Sequence, residues 1–450
     1  VDYKQAVKPT QFIIYGISGH LSRTKILPGL YGLEKSGMLP EQFHIVGTSR
    51  NSYTREQIKD LLSQNIPTID HITLNNLCDR IQVVDINVQK KDFSKLKHAL
   101  QDNEHQHGLC FDRVHYLALP PDLFEPIVKS IGNGVIDTDC KKEISNKILI
   151  EKPFGSDLAS AKKIQSSLHR YFSEEDIYLV DHYLAKEPVE NILYFIRNNP
   201  VFADVWNCKH IRRVEITAKE ELGIENRGEF YDNVGALRDM FQSHLLEVLA
   251  LLTLDQPYDL TDESIQAARL ELLQNIKPFD PDTSVRGQYN GYKEEVGNPK
   301  SFTETYATTV TNIDTDQWRT TSFILSSGKR QEKKQTTAKI YFASDFSKIP
   351  TPNTLTFEFY PEHSVKLGVN LKEPGNEQTR FEELRFEFPS NQQGLTGYQT
   401  IVLAALNSDR SVFTSTEESL VNWQTIQPLL TAWSKDGEGL IEYNPQESLT

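Results

Sequence analysis

Asp181, His182, Tyr183 and Lys186 crowd into the stretch DHYLAKE, between the apolar runs IYLV and NILYF. The segment KEPVENILYFIRNN that follows reads as a helix with Pro188 in its first turn, a tolerated place for proline. A helix N-terminus offers free N–H groups and a partial positive charge. His182, Tyr183 and Lys186 beside it would form an anion site, and a polar connection with a helix cap is the alternative that composition leaves open. A second such segment is LIEKPFGS. Pro153 cannot donate in a central ladder, so the strand should end there and deliver Lys152 at its carboxyl edge. Read alone, Lys152 is equally an ordinary strand-end lysine. His244, set among Phe241, Leu245, Leu246 and Val248, reads by itself as a core histidine.

The elements that must carry these residues alternate in type. QFIIYG (11–16), FHIVG (43–47), RIQVVDI (80–86), VHYLAL (114–119), KILIEKPF (147–154) and DIYLVDHY (176–183) read as strands. Helical patterns lie between them, such as the face of Leu158, Ala161, Ile164, Leu168 and Phe172. Strand–helix alternation predicts a parallel sheet covered by helices, a Rossmann-like α/β domain with ligands at the carboxyl ends of its strands. The boundary should fall near residue 180, giving domains 1–180 and 181–450. The second part is expected to be α+β. It begins with a helix over 187–198 and a long helical pattern, NVGALRDMFQSHLLEVLALLTL. From about residue 300 strand-like runs follow, predicting a large, mainly antiparallel sheet.

Gly16 and Gly19 directly follow the first strand, where glycines permit a tight turn and close approach of a pyrophosphate. Their G-x-x-G spacing is short of the full dinucleotide fingerprint, and packing alone could explain it. The end of the second strand, IVGTSRNS, carries Arg50 and no carboxylate before Glu56. An acidic residue there suits a ribose hydroxyl, whereas an arginine suits the 2′-phosphate of NADP.

Composition narrows the setting. A net charge of −14 argues against binding nucleic acid over the whole surface. No apolar run reaches the roughly 18 residues of a membrane span, and VDYKQAVKPTQF has neither the apolar core nor the cleavage site of a secretory leader. The four cysteines, Cys78, Cys110, Cys140 and Cys208, are widely spaced without a C-x-x-C pair. Neither a zinc site nor a disulfide framework is expected, and a reducing cytoplasm is the simpler setting.

GISGHLSRTK, EKPFG, DHYLAKE, GALRDMFQSHLLE, VRGQY and SGKR resemble, in order, the landmark motifs of the glucose-6-phosphate dehydrogenase family, from about residue 11 to 430. The resemblance implies oxidation of glucose 6-phosphate at C1 to 6-phosphoglucono-δ-lactone with NADP, opening the oxidative pentose phosphate pathway. It implies phosphate contacts from His182, Tyr183, Lys186 and Lys334, and sugar contacts from Lys152, Glu220 and Asp239 with Lys329 beside them. His244 matches the general base, and Asp181 the carboxylate that orients it. Gly16, Gly19 and Arg50 match coenzyme contacts, with Lys152 touching both ligands. No metal is implied, and a homodimer or homotetramer is.

A histidine suits proton removal near neutrality while the coenzyme takes the hydride. At 3.6 residues per turn Asp239 and His244 lie about 140° apart, so the carboxylate serving His244 is expected from elsewhere, and Asp181 fits. His20, Ala185, Ser243 and Ser326 depart from the family's usual residues, with Ser326 expected on the sugar-facing wall. Ala185 would be costly only at a positive φ. These departures motivate two alternatives: a paralogue oxidising another phosphorylated or modified hexose, or a non-catalytic sugar-phosphate or nucleotide-binding regulator.

Overall fold

The computed structural model describes residues 8–138, 140, 144–255, 259–343, 351–375, 378–388 and 394–447. The first seven residues, on which the expectation of no leader partly rests, lie outside them. Six strands form a parallel sheet: β1 (Thr10–Tyr15), β2 (Phe43–Ser49), β3 (Ile81–Asp85), β4 (Asp112–Leu117), β5 (Asn146–Glu151) and β6 (Ile177–Val180). Every residue of β1 and β6 is buried, which is why they read as unbroken apolar runs rather than alternating ones. The spatial order β6-β5-β4-β1-β2-β3 reverses direction between β1 and β4. In such a doubly wound sheet, ligands bind outside the carboxyl ends at that reversal. The same carboxyl edge carries Gly16, Arg50, Lys152 and Asp181, each placed by the end of its strand.

The first sheet also draws on the far end of the chain. Phe413–Thr414 pairs antiparallel with β6, and the helix Gly397–Asn407 buries Ile401 to Leu406 in the core on one face of the sheet, beside the helix Leu27–Lys35. Neither element was expected. The helix Leu158–Leu168 stops before Phe172, which is instead buried in the turn beyond it.

The cysteine expectation is corrected, because Cys110 and Cys140 are joined in a disulfide with Cα atoms 5.8 Å apart. Their spacing of 30 residues matches no motif. They meet because β4 and β5 are parallel neighbours, so the approaches to both strands lie at the same sheet edge.

The second sheet contains β7 (Ile211–Lys219), β8 (Ser284–Tyr289), β9 (Tyr306–Thr311), β10 (Ser322–Gly328), β11 (Gln335–Phe342), β12 (Thr354–Tyr360), β13 (Ser364–Lys372) and β14 (Thr379–Glu387). Counting Phe413–Thr414 as β15, its last member is β16 (Leu440–Tyr443). The order is β14-β13-β12-β11-β7-β10-β9-β8-β16. Most pairs are antiparallel, but β7–β10 and β8–β16 run parallel; in both, long stretches of chain that include helices separate the partners in sequence, as parallel pairing requires. The long helical pattern becomes two joined pieces. Leu237–Leu245 is a π-helix, and Leu246–Thr253 continues as an α-helix with every residue buried. Glu247 on that helix, Arg269 and Glu418 form a fully buried charge cluster, with Arg269 Nε 2.9 Å from Glu418 Oε1 and 3.8 Å from Glu247 Oε2. It ties three helices together behind the site.

Candidate active site

Asp181 is the first residue beyond β6 and is wholly buried. Four donors reach it. Its Oδ1 lies 2.6 Å from His244 Nδ1 and accepts the Tyr183 N–H at 2.8 Å. Its Oδ2 accepts the Ser243 hydroxyl at 2.5 Å and the Lys152 ammonium. Lys152 Nζ is also 3.4 Å from His244 Nδ1. Lys152 stands immediately after β5, where the ladder ends ahead of Pro153, so two neighbouring parallel strands deliver the carboxylate and the ammonium to one point.

Burial pushes the Asp181 carboxyl up, but His244 and Lys152 outweigh it and hold the group well below the usual carboxylate range. Burial lowers His244, against the pull of Asp181. The pair is therefore a neutral imidazole held by a carboxylate anion. With Nδ1 donating to Asp181, Nε2 keeps its lone pair as a proton acceptor. Burial, helped by His244, keeps His182 well below its ordinary value, so His182 brings a hydrogen-bonding ring rather than a charge. Two rings pack around the base: Tyr183 is stacked on His244 at 4.2 Å and nearly parallel to it, and His182 meets it edge-on, 4.7 Å away at 80°.

Asp181, His182 and His244 place possible metal-ligand atoms within 4.8 Å of one another. The Lys152 ammonium against the same carboxylate puts a positive charge where a cation would sit, so the cluster is built for proton chemistry.

Lys186 caps the helix Glu187–Asn198 and lies 3.5 Å over the Tyr183 ring. Burial lowers its ammonium to about 8, and the neighbouring charges of Lys334 and Lys25 push the same way. Lys334 and Lys25 are therefore near enough for their charges to oppose that of Lys186. Lys334 is exposed, its Nζ 4.1 Å over the Tyr360 ring. The helix end adds less than expected, because Glu187 and Glu190 already occupy its first turn. Lys25 was missed by sequence reading; only its place in the turn after Gly19 hinted at it.

A second polar group faces this one. The side chain of Lys329 is almost fully buried, and its Nζ contacts Glu220 and lies 3.5 Å from Asp239 and 4.9 Å over the Tyr231 ring. Glu220 directly follows β7, as expected of a strand-end acid. The charges of Glu220 and Asp239 act on Tyr183, so the two groups share one space.

Three expectations are revised here. Residues five apart in an i→i+5 ladder lie about one turn on, so the 140° separation of Asp239 and His244 does not apply in Leu237–Leu245. His244 nonetheless pairs with Asp181, and Asp239 turns to Lys329. Ser326 does not face the sugar wall: it lies on the opposite face from Leu325 and Ser327, its hydroxyl 3.3 Å from Thr308 Oγ1. Ser243 supplies a donor to Asp181 that its neighbour position alone did not suggest. Ala185 is buried and is not among the residues with positive φ, so its methyl carries no backbone strain.

At the coenzyme end Gly16 has φ +90°, and a Cβ there would stand 2.8 Å from Ala118 O. One on Gly19 would meet Gly16 O at 3.1 Å. Packing thus requires Gly16, and the turn it makes sits at the sheet reversal. Beside it Arg50 is exposed just past β2 with no acceptor among the described residues, and Arg23 Nε is buried without a partner. Unanswered guanidinium donors at the carboxyl ends of β1 and β2 fit a phosphorylated dinucleotide.

Family models described as glucose-6-phosphate dehydrogenase, NAD binding domain, and glucose-6-phosphate dehydrogenase, C-terminal domain, match residues 13–191 and 193–448. Glucose-6-phosphate 1-dehydrogenase of Chlamydia muridarum is 32% identical over 96% of this chain and 91% of its own. Glucose-6-phosphate 1-dehydrogenase 5, cytoplasmic, of Arabidopsis thaliana is 31% identical over 93% of this chain and 85% of its own. A solved structure of glucose-6-phosphate dehydrogenase in complex with its substrate glucose-6-phosphate superposes with a TM-score of 0.91 at 28% identity, covering 99% of this chain and 96% of that one.

The lowered Lys186 value gives a pH test. An ammonium attracts a phosphate dianion only while protonated, so inorganic phosphate should bind more weakly above about pH 8. Lys186→Arg, whose charge persists, should keep the affinity. Calorimetric affinities that stay flat across pH 8 in the parent protein would contradict this role.

Proposed function

The chain belongs to the glucose-6-phosphate dehydrogenase family, and from that premise we propose how its own residues oxidise glucose 6-phosphate at C1. The product is 6-phosphoglucono-δ-lactone, the first step of the oxidative pentose phosphate pathway, and the coenzyme is NADP. The observation that carries the assignment of roles is the His244–Asp181 contact of 2.6 Å beside the Lys186 and Lys329 ammonium groups.

His244 Nε2 takes the proton of the C1 hydroxyl. As the ring becomes an imidazolium, the Asp181 carboxylate already held against Nδ1 stabilises it, without rearrangement at the moment of reaction. Lys152, on the other oxygen of Asp181, tempers that stabilisation and keeps the resting imidazole neutral. NADP, when bound, supplies the acceptor for the C1 hydride. His182, Tyr183, Lys186 and Lys334 hold the phosphate, and Lys25 joins them. Lys152, Glu220, Asp239 and Lys329 hold the sugar hydroxyls, which fixes C1 against the base. Gly16, Gly19 and Arg50 hold the coenzyme. The paralogue loses its motive, because Ser326 faces away from the sugar, and Ser243 strengthens the Asp181 network rather than weakening it.

The sheet supplies a surface for self-association. β14 is an edge strand, and Leu384 and Phe386 on it, with Leu371 and Phe388 nearby, are large apolar side chains left exposed. Such a face calls for a cover, and a second copy of the chain forms a homodimer there. Among the described residues no helix is long and apolar enough to cross a membrane. We place the protein in the cytoplasm, as the Arabidopsis relative's name places that protein; the Cys110–Cys140 bond is the feature that argues for an oxidising setting.

NADPH should form from glucose 6-phosphate and NADP, and His244→Asn should lower kcat by about 10²- to 10⁴-fold. Arg50→Ala should weaken NADP about tenfold or more and leave NAD nearly unchanged. Absence of turnover, or equal losses for both coenzymes, would sink the corresponding role. Phe386→Glu should convert the dimer to monomer in sedimentation velocity; a monomeric parent refutes the interface. Cells lysed into denaturant with an alkylating agent should yield protein with four modified cysteines, the cytoplasm reducing the Cys110–Cys140 pair; two modified cysteines would contradict the cytoplasmic placement.

A further inference from the structure

Lys329 is delivered into the site from a backbone corner, just where the chain leaves β10. Corners of this kind leave backbone groups without ladder partners, and buried ones must find others. The Lys329 N–H donates to Thr305 O at 2.9 Å. The next residue, Arg330, has φ +54°, an uncommon conformation for a side-chain-bearing residue. Its N–H reaches Leu222 O at 3.2 Å. The two carbonyls of this corner are answered from the far end of the chain. The Tyr443 hydroxyl donates to Lys329 O at 2.7 Å, where Gln331 Nε2 adds a longer bond at 3.3 Å, and the Gln446 N–H donates to Arg330 O at 2.6 Å.

The tail is itself firmly placed. β16 pairs in parallel with β8, with Tyr443 opposite Tyr289, and the Asn290 N–H donates to Tyr443 O at 2.9 Å. Arg286, in the VRGQY segment, donates to the carbonyls of Trp433, Asp436 and Glu438 at 2.7 Å each, fixing the turn that leads into β16. The Tyr443 ring is 2% exposed and packs near Tyr289 and Tyr306, with centroids 6.3 and 6.1 Å away. Its hydroxyl also lies 2.9 Å from Thr305 Oγ1. The Lys329 peptide is therefore gripped from both sides, by Thr305 and by Tyr443. Its side chain then has one direction to take, between Glu220 and Asp239 and over Tyr231.

We infer that Tyr443 is a positioning residue for the sugar site, its hydroxyl setting the Lys329 backbone and thereby where the Lys329 ammonium meets substrate. This rests on the reading of Lys329 as a sugar contact. It gives the C-terminal strand, which carries none of the family-like motifs, a role in substrate affinity.

Tyr443→Phe keeps the ring and its aromatic neighbours while removing only the hydroxyl. Calorimetry should find glucose 6-phosphate bound about three- to tenfold more weakly, the effect of one lost hydrogen bond. KM for the sugar should rise in step, while kcat stays within about twofold and KM for NADP does not move. In a Lys329→Ala background the same substitution should have no further effect on sugar affinity, because the group it positions is gone. Unchanged sugar affinity, an equal change in NADP affinity, or a full effect in the Lys329→Ala background would overturn the inference. A parent that binds glucose 6-phosphate without turning it over contradicts the activity alone and leaves this comparison intact. A parent that does not bind it overturns both.

Discussion

A carboxylate taken wholly out of water must have its lone pairs answered by protein donors, and Asp181 has four of them on its two oxygens. An unpaired ion in that position would cost several kcal/mol, so the surrounding elements must be held in place together. β5 brings Lys152, the turn after β6 brings the Tyr183 N–H, and the buried helix of the second half brings Ser243 and His244. The same contacts that satisfy the charge also join the two sheets' supporting layers at the site. Stability and chemistry depend here on one group, because the carboxylate that needs partners is also the one that prepares the base.

The π-helical turn explains how the helix meets this demand. Consecutive residues on a helix diverge by about 100°, yet Ser243 and His244 both reach Asp181, one on each oxygen. The segment Leu237–Leu245 follows the i→i+5 pattern, a departure that is rare and frequently found at functional sites. Widening the turn there lets a fully buried helix, Leu246–Thr253, lead out of a polar stretch without breaking. Behind it the buried Glu247–Arg269–Glu418 cluster anchors the same helix to two others, which keeps the base at a fixed depth.

Strand–helix alternation and local motifs made much of this legible in advance. The six parallel strands follow from runs such as QFIIYG, whose first five residues are all buried in β1, and Pro153 marks where Lys152 emerges. DHYLAKE revealed its chemistry because its polar residues are consecutive and need little tertiary knowledge to bring together. What sequence concealed was mostly contact between distant segments. Cys110 and Cys140 meet through strand pairing, Phe413–Thr414 extends a sheet begun at Thr10, and Tyr443 reaches Lys329 across 114 positions. The angle between Asp239 and His244 is hidden for a different reason. The chain adopts a wider turn there than an ordinary helix, and no residue in LRDMFQSHL announces that choice.

The central claim is that the Asp181 carboxylate holds His244 as a neutral ring protonated on Nδ1, leaving Nε2 free to accept a proton. Nitrogen-15 NMR of ring-labelled histidine, with His244→Asn to assign the signal, reads this directly in the resting protein at neutral pH. The account predicts a protonated, strongly hydrogen-bonded Nδ1 and an unprotonated Nε2, with the pattern lost in Asp181→Asn. A ring protonated on Nε2, or on both nitrogens, would contradict it.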